Sequence, residues 1–156
     1  MDAAYLFTLC GPHPVCVWLH TDQDPPDDLW QRAMVDTEAA LRRATELGGE
    51  VKALVVTDGG APRLRQRRRL TEIYDYRPYQ LSIVTTALSN PVKRGIAAAM
   101  RWFNPALCMY QPEDMPAALE HLGLTAHWPE LESVLAELQG KLPPVQALEL
   151  AVRAMA

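Results

Sequence analysis

The chain has 156 residues, of which 49% are hydrophobic and 22% charged, and its formal net charge is −4. This length suits one domain with a sizeable core, and the composition is that of a globular protein. No apolar run approaches the roughly 20 residues that cross a bilayer, and the acidic N-terminus does not resemble a signal peptide. Three cysteines form no even-numbered disulfide framework, so we expect a cytoplasmic protein.

The charges are segregated along the chain. Residues 1–50 carry nine acidic and three basic side chains, whereas residues 51–110 carry three acidic and ten basic ones. Residues 111–156 are again acidic, with seven acidic and two basic side chains. A basic middle between acidic flanks predicts either a contact with an anionic partner or neutralisation by the flanks, and it does not indicate general nucleic-acid binding.

The first predicted elements are strands at residues 5–9 and 15–20. The Gly-Pro-His-Pro sequence at 11–14 between them is typical of a turn, so we expect an antiparallel hairpin. A long helix follows, opened by Asp-Pro-Pro-Asp-Asp at 24–28 with an aspartate cap, and ended by Gly48-Gly49.

The apolar run at residues 51–57 predicts a strand buried on both faces of a sheet. A turn with the sequence Asp58-Gly59-Gly60 ends this strand. An arginine-rich helix then extends to about residue 76, with Pro62 at its first position.

The remaining pattern continues the alternation of strands and helices. We expect a strand at 80–86, a helix that starts at Pro91 after a cap at Ser89 or Asn90, and a short strand at 107–110. A further helix opens at Pro112 and ends at Gly123. This order predicts an α/β fold: a mixed, mostly parallel five-stranded sheet with an N-terminal antiparallel hairpin and helices covering the sheet.

The last part of the chain predicts a helical hairpin. We assign residues 1–124 to the α/β domain and residues 125–156 to this hairpin, packed on the domain or on a partner subunit. Its two apolar stripes consist of Leu131, Val134, Leu135 and Leu138, and of Val145, Leu148, Val152 and Met155.

Several short sequences carry a family resemblance. Val56–Pro62 with Gln66-Arg67, and Lys93–Gly95 with Trp102–Pro105, look like a group of uncharacterised bacterial STAS-like proteins. The resemblance covers about residues 4–124 and implies the anti-sigma-factor-antagonist fold, some relatives of which are lipid-binding Sec14-type domains. Regulatory STAS domains carry a phosphorylatable serine directly after the turn aspartate. Gly59 stands at that place here, so the resemblance does not imply a kinase-controlled switch.

The turn and the basic residues around it are the candidate site. The turn glycines could bring backbone N–H groups together to bind an anion, or they could simply turn the chain while Asp58 accepts bonds from nearby backbone donors. The candidate binding residues are Thr57, Asp58, Gly59, Gly60, Arg63, Gln66, Arg67, Lys93, Arg94 and Trp102.

The arginines of the helix leave two interpretations open. Arg63 and Arg67 share a helical face, and they could dock on an acidic protein surface or on lipid headgroups. The alternative is a solvated helix paired with acids such as Glu72 and Asp75. Lys93 and Arg94 start the next helix, where cations oppose the helix dipole, and this favours a functional basic patch.

The predicted hairpin contains a superficial metal motif, and the chain lacks the common catalytic motifs. Cys10, His13, Cys16 and His20 have a zinc-like spacing, yet positions 16 and 20 of one strand lie about 13 Å apart. A metal site would have to use Cys10, His13 and Cys16 around the turn, and we expect half-buried hairpin residues and no metal instead. No nucleophile elbow, H-E-x-x-H or dinucleotide fingerprint is present, so we expect no catalytic residues and no cofactor.

These observations favour a non-catalytic regulatory or protein–protein interaction module. Its partner would be a protein with an acidic surface or a second copy of the chain. The alternatives are a binder of a small apolar or lipid-like ligand, in a cleft between sheet and helices, and an enzyme of unknown reaction. A cleft lined by Trp18, Trp102 and Phe103 would favour ligand binding, whereas a flat basic face would favour a protein partner.

Overall fold

A computed structural model describes residues 1–75, 79–92, 94 and 107–156, and in it five strands form one sheet. The strands are β1 (Ala3–Cys10), β2 (His13–His20), β3 (Lys52–Thr57), β4 (Gln80–Thr85) and β5 (Leu107–Tyr110). They lie across the sheet in chain order; β1 and β2 are antiparallel and the remaining neighbours are parallel. The predicted α/β fold with a mixed sheet and an N-terminal hairpin is confirmed.

The helices cover the two faces of the sheet in separate groups. The α-helices that lie wholly within the described residues are α1 (Asp27–Leu47), α2 (Leu64–Ile73), α3 (Met115–Leu122), α4 (Trp128–Gln139) and α5 (Gln146–Met155). Helices α1 and α2 pack on one face, here called the α1–α2 face, and α3, α4 and α5 pack on the other, the α3–α5 face. Among the described helices, none combines the length and the apolar character that a bilayer-spanning segment requires.

Alternation along the strands divides their side chains between these two faces. Val17 of β2, together with Leu54 and Val56 of β3, points to the α3–α5 face and is fully buried. Trp18 and Cys16 of β2 point to the α1–α2 face. The main core of the protein therefore lies between the sheet and its last three helices.

Two polar side chains of the sheet fix α3 in place. Lys52 is only 8% exposed, and its ammonium group donates a hydrogen bond to the carbonyl oxygen of Leu122, the last residue of α3. The Ser82 hydroxyl donates to the carbonyl oxygen of Ala118, at 2.8 Å. A cation at a helix C-terminus is favourable because the unpaired carbonyl groups there carry partial negative charge.

The starts of α1 and α2 differ from the sequence prediction. Helix α1 has no side-chain cap, because its N-cap residue is Pro26; the Asp24 carboxylate accepts a bond from the Ala61 N–H at 3.2 Å instead. Helix α2 starts at Leu64 rather than at Pro62, since the side chain of Gln66 accepts a bond from the Arg63 N–H and caps the helix there. The predicted end of α1 is confirmed, with Gly48 at φ 71°.

The C-terminal helices pack onto the sheet through the predicted stripes. Leu131, Leu135 and Leu138 of α4 are fully buried, and Leu148 of α5 is 6% exposed. The predicted helix at Pro91 begins as expected, because the Asn90 side chain accepts a bond from the Val92 N–H. The rest of that helix, with Lys93 and Trp102, lies outside the described residues.

Candidate functional site

A cavity of about 750 Å³ lies between the α1–α2 face of the sheet and helices α1 and α2. Its volume is within the range of roughly 300–1,000 Å³ that is usual for small-molecule sites. Trp18 of β2 and Trp30 of α1 form part of its wall, with ring centroids 5.5 Å apart. At the far end Tyr74 and Tyr79 stack on each other at 4.3 Å, and burial raises the pKa of both phenols.

The register of the sheet arranges the cavity floor in rows that cross β2, β3 and β4. The three rows are His20–Thr57–Thr85, Trp18–Val55–Ile83 and Cys16–Ala53–Leu81. The first row, here called the polar row, lies at the carboxyl ends of the three parallel strands. The other two rows are apolar. The cavity thus has one polar end and an apolar body, and the polar end lies where ligands bind in parallel sheets.

The members of the polar row are buried although they are polar. His20 and Thr85 are each 1% exposed, and Thr57 is 4% exposed. The Thr85 hydroxyl accepts a bond from the Ala87 N–H at 3.0 Å. Within the described residues its own proton has no acceptor, so this proton is available to a molecule in the cavity.

His20 is the least satisfied member of the polar row. Its Nδ1 is buried, and no described group bonds to it, which is uncommon for a buried polar atom. The ring stacks on Trp18 at 5.1 Å. Burial lowers the pKa of His20 to about 4, against a smaller opposite effect of the Asp24 carboxylate. The imidazole is therefore neutral at physiological pH.

The cavity explains a departure from the predicted burial of β3. The sequence predicts that residues 51–57 are buried on both faces, and β3 does lie at the centre of the sheet. Ala53 and Val55, however, are only half-buried, as is Ile83 of β4. These side chains face the cavity, so apolar surface in the middle of the sheet remains accessible.

The glycine turn is not arranged to hold an anion. The Thr57 hydroxyl accepts a bond from the Gly59 N–H at 3.0 Å and donates one to the Gly60 carbonyl oxygen at 2.7 Å. The Gly60 N–H donates to the carbonyl oxygen of Thr21 at 3.0 Å. Both glycine N–H groups are therefore engaged within the protein, and the buried Thr57 hydroxyl is committed to the turn.

The Asp58 carboxylate caps a helix that is distant in sequence, and among the described residues it does not bond to the backbone of its own turn. Its carboxylate accepts bonds from the N–H groups of Gln146 and Ala147, at 2.7 and 2.8 Å, and from the Thr86 hydroxyl at 3.2 Å. Gln146 and Ala147 are the first residues of α5, whose N–H groups have no partners within the helix. The local backbone donors that the sequence suggested for Asp58 are replaced by donors 88 and 89 positions away.

Three of the five arginines at positions 63–69, at the start of α2 and within it, pair with acids of α1. Arg63 and Arg65 bond to the Asp27 carboxylate at 2.8 and 3.1 Å, and Arg69 bonds to Glu38 at 2.7 Å. Of the acids that the sequence suggested, Glu72 lies 3.7 Å from Arg69, and no ion pair of Asp75 is found among the described residues. The acidic N-terminal flank thus neutralises much of the basic helix.

Gln66 and Arg67 are neighbours with different roles. Gln66 is 4% exposed, and its amide donates to the carbonyl oxygen of Pro25 at 2.9 Å, so it joins α2 to the start of α1. Arg67 is exposed and lines the cavity, and no acid among the described residues pairs with it. Arg94 is also exposed.

The cysteine and histidine string of the hairpin does not converge. Cys10 belongs to the core of the α3–α5 face and Cys16 to that of the α1–α2 face, so the sheet separates them. The Nδ1 atom of His13 accepts a bond from the Glu50 N–H at 3.0 Å. In the part of the chain that the structure describes, no three His, Cys, Asp or Glu side chains are placed to hold a metal ion.

Four of the residues that the sequence predicts for the candidate site line the cavity: Thr57, Gly59, Gly60 and Arg67. The sequence does not indicate Thr85 or the role of His20, because only the pairing of β2, β3 and β4 brings these residues into one row. Comparison of the chain with models of protein families, with curated proteins and with solved structures finds no significant match.

Proposed function

We propose that this protein binds a small, mainly apolar ligand in the cavity on the α1–α2 face. The observation that carries this proposal is the half-buried state of Ala53, Val55 and Ile83 in the centre of the sheet, facing a space of about 750 Å³. Central strands of parallel sheets are normally covered on both faces. A ligand that covers these side chains gains roughly 25 cal/mol per Å² of apolar surface removed from water.

The polar row supports a binding role by giving the ligand an orientation. Ligand sites in proteins combine a mostly apolar lining with a few polar groups that fix the position of the ligand. Here Thr85 offers a hydroxyl proton, and His20 offers a buried Nδ1 atom that has no hydrogen-bond partner among the described residues, both at the same end of the cavity.

The test uses a neutral, polarity-sensitive fluorescent probe, 1-N-phenylnaphthylamine, and a variant that fills the cavity. We expect the wild-type protein to bind the probe with an increase in its fluorescence. Ala53→Phe places a ring in the cavity and should weaken binding at least tenfold. Ala117→Phe is the matched control, because Ala117 is exposed on α3, on the opposite face of the sheet.

A wild-type protein that does not bind the probe would contradict the proposal. So would an Ala53→Phe variant that folds, by circular dichroism and thermal melting, and still binds as tightly as the wild type. If Ala53→Phe does not fold, Ala87→Phe fills the cavity from the turn after β4, where Ala87 is half-buried.

A protein partner is the second candidate function, as a regulatory or interaction module. The observation that favours it is the exposure of Leu64 and Val92, at 58% and 71%, with the exposed Arg94 beside Val92. These residues follow the carboxyl ends of two adjacent strands and so lie at the same edge of the sheet. An acidic protein surface, or the acidic flanks of a second copy, would complement this edge.

Self-association through this edge has a direct test. Sedimentation equilibrium of the wild type at low salt should show a dimer that weakens at physiological salt, because exposed charges are screened over roughly 8–10 Å. Arg94→Glu should remove the dimer. A wild-type protein that is monomeric at both salt concentrations would leave only a different, acidic protein as the partner.

We also propose membership of the STAS-like proteins and a cytoplasmic location. The first rests on the order of elements and the place of the Asp58-Gly59-Gly60 turn after the central strand. The second rests on three buried, free cysteines, which suit a reducing compartment. Phosphate on Thr57 would require a residue that is 4% exposed to leave the turn, so this proposal does not include a kinase-controlled switch.

A further inference from the structure

The charges that line the cavity are unbalanced. Within the described part of the chain, Arg67 is the only permanently charged side chain of the lining, and no Asp or Glu takes part in it. Burial keeps three ionisable groups of the lining uncharged at neutral pH, since it lowers the pKa of His20 and raises the pKa of Cys16 and Tyr74. Among the described residues, the lining of the cavity therefore includes one positive side chain and no negative one.

Arg67 lies near the polar end of the cavity. Helix α2 starts at Leu64, soon after the carboxyl end of β3, so Arg67 follows within the first turn, roughly 5 Å along the helix. The polar row lies at the carboxyl ends of the same strands. Arg67 and the polar row therefore belong to the same end of the cavity lining, and the apolar rows extend away from the polar row.

Three groups at this end of the cavity can each donate a hydrogen bond. Arg67 donates from its guanidinium group, Thr85 from its hydroxyl, and a neutral His20 from one of its two ring nitrogens. An acceptor that carries a single negative charge would match all three.

We infer that the ligand of this cavity is an amphipathic monocarboxylate. Its carboxylate lies at Arg67 and the polar row, and its apolar body extends along the rows of Trp18 and Cys16 toward Tyr74 and Tyr79. This inference rests on the proposed ligand-binding function and adds the class of ligand to it. A planar guanidinium group is well suited to a carboxylate, with which it can form two parallel hydrogen bonds.

The experiment compares ligands that differ only in their polar end. Isothermal titration calorimetry of the full chain with decanoate, decanol and decyl phosphate should show decanoate binding about tenfold more tightly than decanol, the gain expected from a charge-assisted hydrogen bond. Arg67→Gln should remove this difference, because it should weaken the binding of decanoate much more than the binding of decanol.

Arg68→Gln is the matched control. Arg68 is the next residue of the same helix, is exposed, and does not line the cavity, so both variants lose one positive charge from nearly the same place. Arg68→Gln should keep the preference for decanoate. Equal losses in the two variants would show that the preference reflects the general charge of α2, and they would overturn the inference.

Other outcomes separate this inference from the proposed function. Equal binding of decanoate and decanol by the wild type would overturn the carboxylate assignment and leave a cavity for apolar ligands. If decyl phosphate binds most tightly, the polar group of the ligand is a phosphate and the carboxylate assignment is wrong. If the neutral probe and all three decyl compounds fail to bind, the proposed function itself is wrong.

Discussion

The indole N–H of Trp30 donates a hydrogen bond to the backbone carbonyl oxygen of Gln66, at 3.0 Å. This bond joins α1 to α2, and both of its ends are buried. The Gln66 side chain adds a second connection, to Pro25 and Asp27 before and at the start of α1. The two helices above the cavity are thus held to each other by hydrogen bonds that do not involve the sheet.

Replacement of Trp30 by Phe should lower the free energy of unfolding. The ring volume is largely kept, but the Gln66 carbonyl loses a buried donor, at a cost of about 1–2 kcal/mol. Urea denaturation followed by circular dichroism measures this loss. Trp128→Phe is the control, since no described group bonds to the Trp128 indole N–H, and it should cost less. Equal costs would show that packing rather than the hydrogen bond determines the effect.

Replacement of Asp58 by Ala should detach α5 more than it perturbs the turn. It removes the acceptor of two N–H groups at the start of that helix, and lost caps cost about 0.5–2 kcal/mol. Hydrogen exchange should therefore increase first in residues 146–155. Asp114→Ala is the control, because Asp114 stands at the N-cap of α3 without a side-chain cap bond. Faster exchange confined to the turn at 57–60 would contradict this prediction.

The stability of the protein should fall with acidification in a window set by His20. Its pKa is lowered to about 4 in the folded protein, from 6.5 in the unfolded chain, so the unfolded state binds more protons between these values. The contribution of His20 is therefore fully present above pH 6.5 and is lost as the pH falls toward 4, to a total of about 3 kcal/mol.

Denaturant unfolding of the wild type and of His20→Gln at several pH values isolates this effect, because the carboxylates titrate in both proteins. The Asp24 carboxylate, which acts on His20, is present in both. The stability difference between the two proteins should change through the window from pH 6.5 to 4. A constant difference would show that His20 has an ordinary pKa.

Replacement of Lys52 by Met should destabilise the contact between the sheet and α3. The buried ammonium group bonds to the Leu122 carbonyl, and hydrogen bonds of charged groups contribute about 1.5–3 kcal/mol. Chemical denaturation measures the loss. Lys141→Met should change stability by less than about 1 kcal/mol, because Lys141 is 46% exposed and its ion pair with Glu137 lies at the surface. If the Lys52→Met variant has the same free energy of unfolding as the wild type, the role assigned to this hydrogen bond is wrong.

The fold was largely predictable because its signals are local. The apolar run at 51–57, the turn at 11–14 and the glycine at position 48 each determine nearby backbone without knowledge of the rest of the chain. The site was less predictable, since its relationships are distant. In the sequence His20 is only a polar residue at the end of a predicted hairpin strand, and the pairing of the strands places it in one row with Thr57 and Thr85. The sequence gives no sign of the role of Lys52, because its hydrogen-bond acceptor, the Leu122 carbonyl, lies 70 positions away.

The bond between Asp58 and Ala147 also bears on the order in which the chain becomes ordered. Helix α5 has ten residues, and a helix of that length is marginal in water on its own. The Asp58 carboxylate, which accepts bonds from its first N–H groups, is in position only when the turn after the central strand has formed. Ala147 lies 89 positions after Asp58, so during synthesis this hydrogen bond can form only after those 89 residues have been added. Helix α5 is therefore expected to form as a late step of folding, and its N-terminal N–H groups should report completion of the native state.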